Sequence, residues 1–158
     1  MPTPRLDRRQ ILLMAAAATA LPGSLHAAGG PAIHVVKDPN CGCCGAWIEI
    51  LQAEGFEVSI EHARPDELAG YKMAKGIPPE MASCHTAQIQ DYMIEGHVPV
   101  ADIRRLLDER PEAVGLSVPG MPFGSPGMGP ESQREAYDVH LIRRDGSTQV
   151  FSSYPAAA

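Results

Sequence analysis

The chain is short of the residues from which large binding faces are built. Aromatic side chains make up only 5% of its 158 residues, and Lys plus Arg number 13 against 19 Asp plus Glu, a formal net charge of −6 at pH 7. Such a chain has neither the basic footprint nor the stacking surfaces of a nucleic-acid binder, which excludes that class of partner. No internal repeat is evident either. The uncharged apolar run from Ile11 to Leu21 falls short of the roughly 20 residues that span a bilayer, and no membrane anchor is expected. Cysteine is scarce too, with Cys41, Cys43, Cys44 and Cys84 the only four. A disulfide-dense scaffold is therefore unexpected, and a chain of this length buries a working core without one.

What is present begins with an address. Arg5, Arg8 and Arg9 precede the apolar run, and small residues follow at Ala27 and Ala28, the three-part build of an export signal over residues 1–27. The stretch Asp7-Arg8-Arg9-Gln10-Ile11-Leu12-Leu13 fits a twin-arginine signal, and an ordinary Sec signal shares the same build. Cleavage there removes three arginines and Asp7, which deepens the formal charge from −6 to −8.

The mature sequence reads as alternating elements. Ile33 to Val36 form a buried strand closed by Asp38-Pro39-Asn40. Trp47, Ile50 and Leu51 recur at helical spacing, with Gly55 at the expected end. Phe56, Val58 and Ile60 alternate as a half-buried strand. A second helix starts at Pro65 with Leu68 and Tyr71 on its apolar edge. His85–Gln90 and Tyr92–Glu95 read as two short strands, and Val100, Ile103, Leu106 and Leu107 stripe a third helix that Pro111 stops. From Pro111 to Pro130, ten of twenty residues are Gly or Pro, and no regular helix or central strand is expected there. Tyr137, Val139 and Leu141 alternate, Asp145-Gly146 offers a tight turn, and Val150-Phe151 begin a return strand.

Function is concentrated at the cysteines. Cys41 and Cys44 are three apart at a strand-to-helix junction, so one turn brings their sulfurs together, able to share a bond or an ion. The first turn of a helix also presents unpaired N–H groups and the positive end of the macrodipole, both of which favour thiolate. Three cysteines in four positions beside two glycines do not serve as packing. A tetrahedral zinc site is a competitor, although one distant Cys84 lacks the usual paired spacing. Thiolate and thioether donors select Cu(I), and Met121 and Met128 stand seven apart on the stiff Gly-Pro segment, away from any helical stripe. His85 follows Cys84 and His97 opens the third helix, so both imidazoles can border the cluster.

The motifs Cys41-Gly-Cys43-Cys44-Gly, Ala82-Ser83-Cys84-His85-Thr86, Glu95-Gly96-His97-Val98-Pro99 and Pro119-Gly120-Met121-Pro122-Phe123-Gly124-Ser125-Pro126-Gly127-Met128 together resemble the CxCC family of Gram-negative bacterial proteins named for CopG. The resemblance covers roughly Ile33 to Tyr154. It implies a periplasmic copper-resistance protein in which the CxCC sulfurs border a thiolate-bridged copper cluster and which interconverts Cu(I) and Cu(II). It also implies an α/β fold: a thioredoxin-like βαβ-α-ββα domain over 28–110, then a C-terminal extension over 111–158 with a Gly/Pro/Met-rich loop and a β-hairpin. The residue reading gives the same order, with CxxC opening the first helix. Where thioredoxins carry a cis-proline facing the CxxC, this chain reads Met81-Ala82-Ser83-Cys84-His85, so a sulfur or imidazole fills that place. The expected ligands are Cys41, Cys43, Cys44 and Cys84 with Met121, Met128, His97 and His85. A thiol-disulfide oxidoreductase and a copper chaperone without redox activity are the alternatives. The expected partners are copper ions and a periplasmic efflux or delivery protein, with a monomer as default.

Overall fold

The computed structural model describes residues 29–158, and the export signal expected at 1–27 lies outside the described residues. Strand β1 (Ala32–Lys37) is an inner strand with Ile33, Val35 and Val36 buried. It feeds helix α1 (Gly42–Ala53), whose buried side chains Cys44, Trp47, Ile48 and Leu51 lie at i, i+3, i+4 and i+7. Ile50, expected on that stripe, lies at its border, and Ile48 takes the core place. Gly55, at φ +88°, ends the helix by letting Gly55 N and Phe56 N turn back to Gln52 O and Leu51 O, each at 3.0 Å.

The chain continues through β2 (Glu57–His62), α2 (Pro65–Ala74), a 3₁₀ turn at Pro79–Met81, β3 (His85–Ile89), β4 (Tyr92–Glu95) and α3 (Val100–Glu109). Then come β5 (Gly115–Ser117), a second 3₁₀ turn at Glu131–Gln133, and the hairpin β6 (Tyr137–Ile142) and β7 (Thr148–Tyr154). One seven-stranded sheet results, in the order β2-β1-β3-β4-β5-β6-β7. The pairs β1/β2 and β4/β5 are parallel and the rest antiparallel. The first four strands and three helices have the thioredoxin-like βαβ-α-ββα order, and β5, β6 and β7 continue the same sheet. The main core gathers Trp47, Leu51, Ile89, Ile94, Ile103, Leu106 and Leu116, all fully buried.

Two expectations are corrected. The Gly/Pro-rich stretch does hold a central strand: β5 sits between β4 and β6. Its three residues contain no proline, and Gly115 is required there because a Cβ would stand 1.7 Å from the Met93 carbonyl oxygen. Strand β2 was expected to be half-buried by its alternation, yet Ile60 is 47% exposed. It is an outer strand paired only with β1.

Candidate metal centre

The CxCC motif is set by a tight turn. Asn40 N bonds Asp38 Oδ1 at 2.7 Å and Cys41 N bonds Asp38 O at 3.1 Å, which swings the chain out of β1 so that Cys41 becomes the N-cap of α1. Cys41 makes no side-chain cap bond, so the helix opens on free N–H groups beside sulfur. Cys41 and Cys44, with Cα atoms 5.5 Å apart, are joined by a disulfide, and Cys43 and Cys84 are free thiols. The bond closes one helical turn rather than stapling distant segments. Cys44 is fully buried, whereas Cys41 and Cys43 are half-exposed, their sulfurs 3.5 Å apart.

Cys84 arrives from the other side, immediately before β3. Its sulfur completes a group with Cys41, Cys43 and Cys44 in which the ligand atoms all lie within 4.8 Å of one another. The same sulfur belongs to a second such group with His85 and His97. Cys84 is therefore the hinge between a sulfur cluster and an imidazole pair. His97 Nε2 stands 3.0 Å from Cys84 Sγ, and His97 Nδ1 bonds the Pro126 carbonyl at 2.7 Å. A carbonyl only accepts, so Nδ1 carries the proton and Nε2 directs a lone pair at the sulfur, the arrangement of a metal-ligating histidine with its outer nitrogen anchored. His85 places Nδ1 3.3 Å from Cys84 Sγ, while its buried Nε2 has no hydrogen-bond partner among the described residues. The His85 ring packs on Trp47, centroids 4.4 Å apart, and Trp47 is fixed by donating Nε1–H to Val98 O at 2.9 Å.

Burial sets the protonation states. It lowers the pKa of His97, and it lowers that of His85 further, with the neighbouring His97 and Lys72 charges adding to the effect. Both imidazoles are neutral at pH 7 and free to donate lone pairs. Burial, then the nearby Cys43, pushes the Cys84 thiol up to about 12. Without a cation at the site Cys84 keeps its proton, and a soft cation would displace it.

The two methionines lie on a segment attached on both flanks of this group. Gly120, before Met121, bonds back to Ala82 and Ser83 beside Cys84. Gly127, before Met128, is seated on α1, where a Cβ would stand 2.7 Å from Trp47 N and 3.0 Å from Cys43 O. Met121 is 54% exposed and Met128 half-buried. The backbone before each methionine is thus anchored beside a cysteine-bearing segment.

Sequence reasoning missed a supporting network under Cys84. Glu95, fully buried, accepts from Lys72 Nζ, from Ser83 N at 2.6 Å and from Thr86 Oγ1 at 2.5 Å. Lys72 also donates to Thr86 Oγ1 at 2.8 Å. This network fixes the residue before Cys84. The available signal was Lys72 four residues after Leu68, on the helix face that the strands cover.

A protein-family profile described as "Protein of unknown function, DUF411" matches residues 81–128, the span from the turn before Cys84 to Met128. No curated protein matches the chain. Two solved structures do, both described as copper resistance protein copG, in two forms. Form 2 is 46% identical with a TM-score of 0.73, and form 1 is 44% identical with a TM-score of 0.75. Each match covers 80% of this chain and 99% of the other. With that identity over nearly the whole of those proteins, and with the CxCC cysteines gathered as described, this chain belongs to the family of CopG copper-resistance proteins.

Proposed function

We propose that the protein binds copper in the periplasm through Cys41, Cys43, Cys44 and Cys84, with His97, His85, Met121 and Met128 completing the shell, and that it interconverts Cu(I) and Cu(II). The observation that carries this reading is the convergence of four cysteine sulfurs, one of them shared with two neutral imidazoles, within ligand-to-ligand distances of 4.8 Å. Soft thiolate and thioether donors favour Cu(I), and imidazole serves either oxidation state. The Cys41–Cys44 pair supplies redox capacity: two thiols closing to the disulfide release two electrons and two protons, enough to reduce two Cu(II) to Cu(I). The family's copper-resistance role, the export signal at 1–27 and a periplasmic efflux or delivery partner fit the same setting. No helix among the described residues is long and apolar enough to cross a membrane.

The experiment is aerobic and anaerobic titration with copper and zinc, followed by elemental analysis and absorption spectroscopy. One or more equivalents of copper with thiolate-to-copper bands are expected, and Cys41→Ser/Cys44→Ser should lose them. Full copper stoichiometry in that double variant would sink the proposal. A second reading, thiol-disulfide exchange, is favoured by the disulfide itself, with Cys41 half-exposed as attacking sulfur and Cys44 buried behind it.

A further inference from the structure

Ala82 and Ser83 lead into β3, and their backbone groups are divided between two neighbours. On the inner side Ser83 N–H goes to Glu95 Oε1 at 2.6 Å. On the outer side the Ala82 carbonyl accepts from Gly120 N at 3.2 Å, the Ser83 hydroxyl donates to the Gly120 carbonyl, and Ser83 and Gly120 form an isolated parallel bridge. A strand-like edge beside a sulfur site is where an extended polypeptide can add as one more strand. Here the chain's own Gly120 occupies it.

The far end of the same segment is tied down as firmly. His97 Nδ1–H bonds Pro126 O, and Gly127 rests against α1 so closely that no side chain fits beneath it. Between the two ties the segment bonds to itself, Gly124 N to Met128 O at 3.0 Å and Met128 N to Ser125 O at 2.8 Å. It spans from the Cys84 side of the cluster to the Cys43 side. What stays open is a cleft of about 390 Å³ lined by Asp38, Cys41, Leu68, Lys72, Ser83 and Cys84, a volume suited to a small molecule.

We infer that residues 119–128 form a built-in strap that fills the peptide-pairing edge beside Cys84, so that the sulfur site admits ions and small disulfides but shuts out the disulfides of folded proteins. This deepens the copper reading by naming what the site accepts, and its test uses metal-free protein, so its failure leaves copper binding untouched. In the admitted reaction the Cys41 thiolate attacks one sulfur of a small disulfide and expels the other as thiolate. Cys44 then displaces the first, and two small thiols leave as the Cys41–Cys44 bridge forms.

The test is to reduce the metal-free protein, offer it cystine or insulin, and follow bridge formation by alkylation and mass spectrometry, each rate normalised to that of dithiothreitol with the same oxidant. The expected normalised rate with insulin is at least about a hundredfold below that with cystine, because access limits exchange. In Ser83→Ala/Gly127→Ala, which removes one tie and wedges a methyl under the other, faster amide exchange over 119–128 should accompany at least about a tenfold gain in the insulin-to-cystine rate ratio. Ser83→Ala alone gives the same comparison if the double variant does not fold. Equal wild-type rates on the two oxidants would overturn the inference, and so would a variant with a freed strap that still rejects insulin.

Discussion

The two ends of the sheet both bury polar groups, and they treat them in opposite ways. At the hairpin end Asp102, buried at the start of α3, accepts from Ser152 Oγ at 2.5 Å and from Tyr154 Oη at 2.7 Å, and Tyr154 stacks on Tyr137 with centroids 4.9 Å apart. The Ser152 and Tyr154 hydroxyls there share one acceptor group. At the cysteine end two thiols are free, a buried imidazole nitrogen lacks a partner among the described residues, and one sulfur is faced by two rings. A saturated network holds structure together; an unsaturated one leaves capacity for something else to bind. The contrast also sorts the groups around Cys84, since Glu95 with Lys72, Thr86 and Ser83 N is a closed network directly beneath the open one.

Breaking the closed network should do the most damage. Lys72→Met leaves Glu95 buried without its cation, and urea unfolding should show a loss of about 3–5 kcal/mol. Copper uptake should weaken with it, because Ser83 and hence Cys84 lose their anchor. Asp102→Ala should cost about 2 kcal/mol by stranding the Tyr154 hydroxyl, with copper stoichiometry unchanged. An equal loss of copper in both variants would erase the distinction between the two ends. The smallest effect is in alkaline titration of metal-free protein. Burial holds Tyr137 up to about 12, so the neutral phenol is favoured in the fold. The stability it supports is complete below the unfolded tyrosine value near 10 and fades as pH rises toward about 12. Tyrosinate absorbance from this ring should appear only near the upper end of that window; appearance at ordinary tyrosine pH would show that the hairpin end is open to water.

Much of this was legible because the signals were local. The CxxC spacing at the mouth of an amphipathic helix, the Pro65 start of α2 and the Asp145-Gly146 turn each depend on a few adjacent residues, and the elements follow them closely. The neighbours of the CxCC motif were legible as candidates: Cys84, His85 and His97 converge on one sulfur. Their differences were not, because only tertiary structure brings the Pro126 carbonyl to His97 Nδ1 and leaves His85 Nε2 alone. Strand β5 was hidden by the prolines around it, although Gly115-Leu116-Ser117 contains none. The Glu95 network was hidden because Lys72 reads as a solvated lysine until α2 is laid on β3 and β4.

Trp47 is the chain's single tryptophan, fully buried, three residues beyond Cys44 and in ring contact with His85. Its ultraviolet emission therefore comes from one place, a side chain's width from the sulfurs. The protein carries an intrinsic optical gauge of that neighbourhood, with no second fluorophore of its kind to blur the signal.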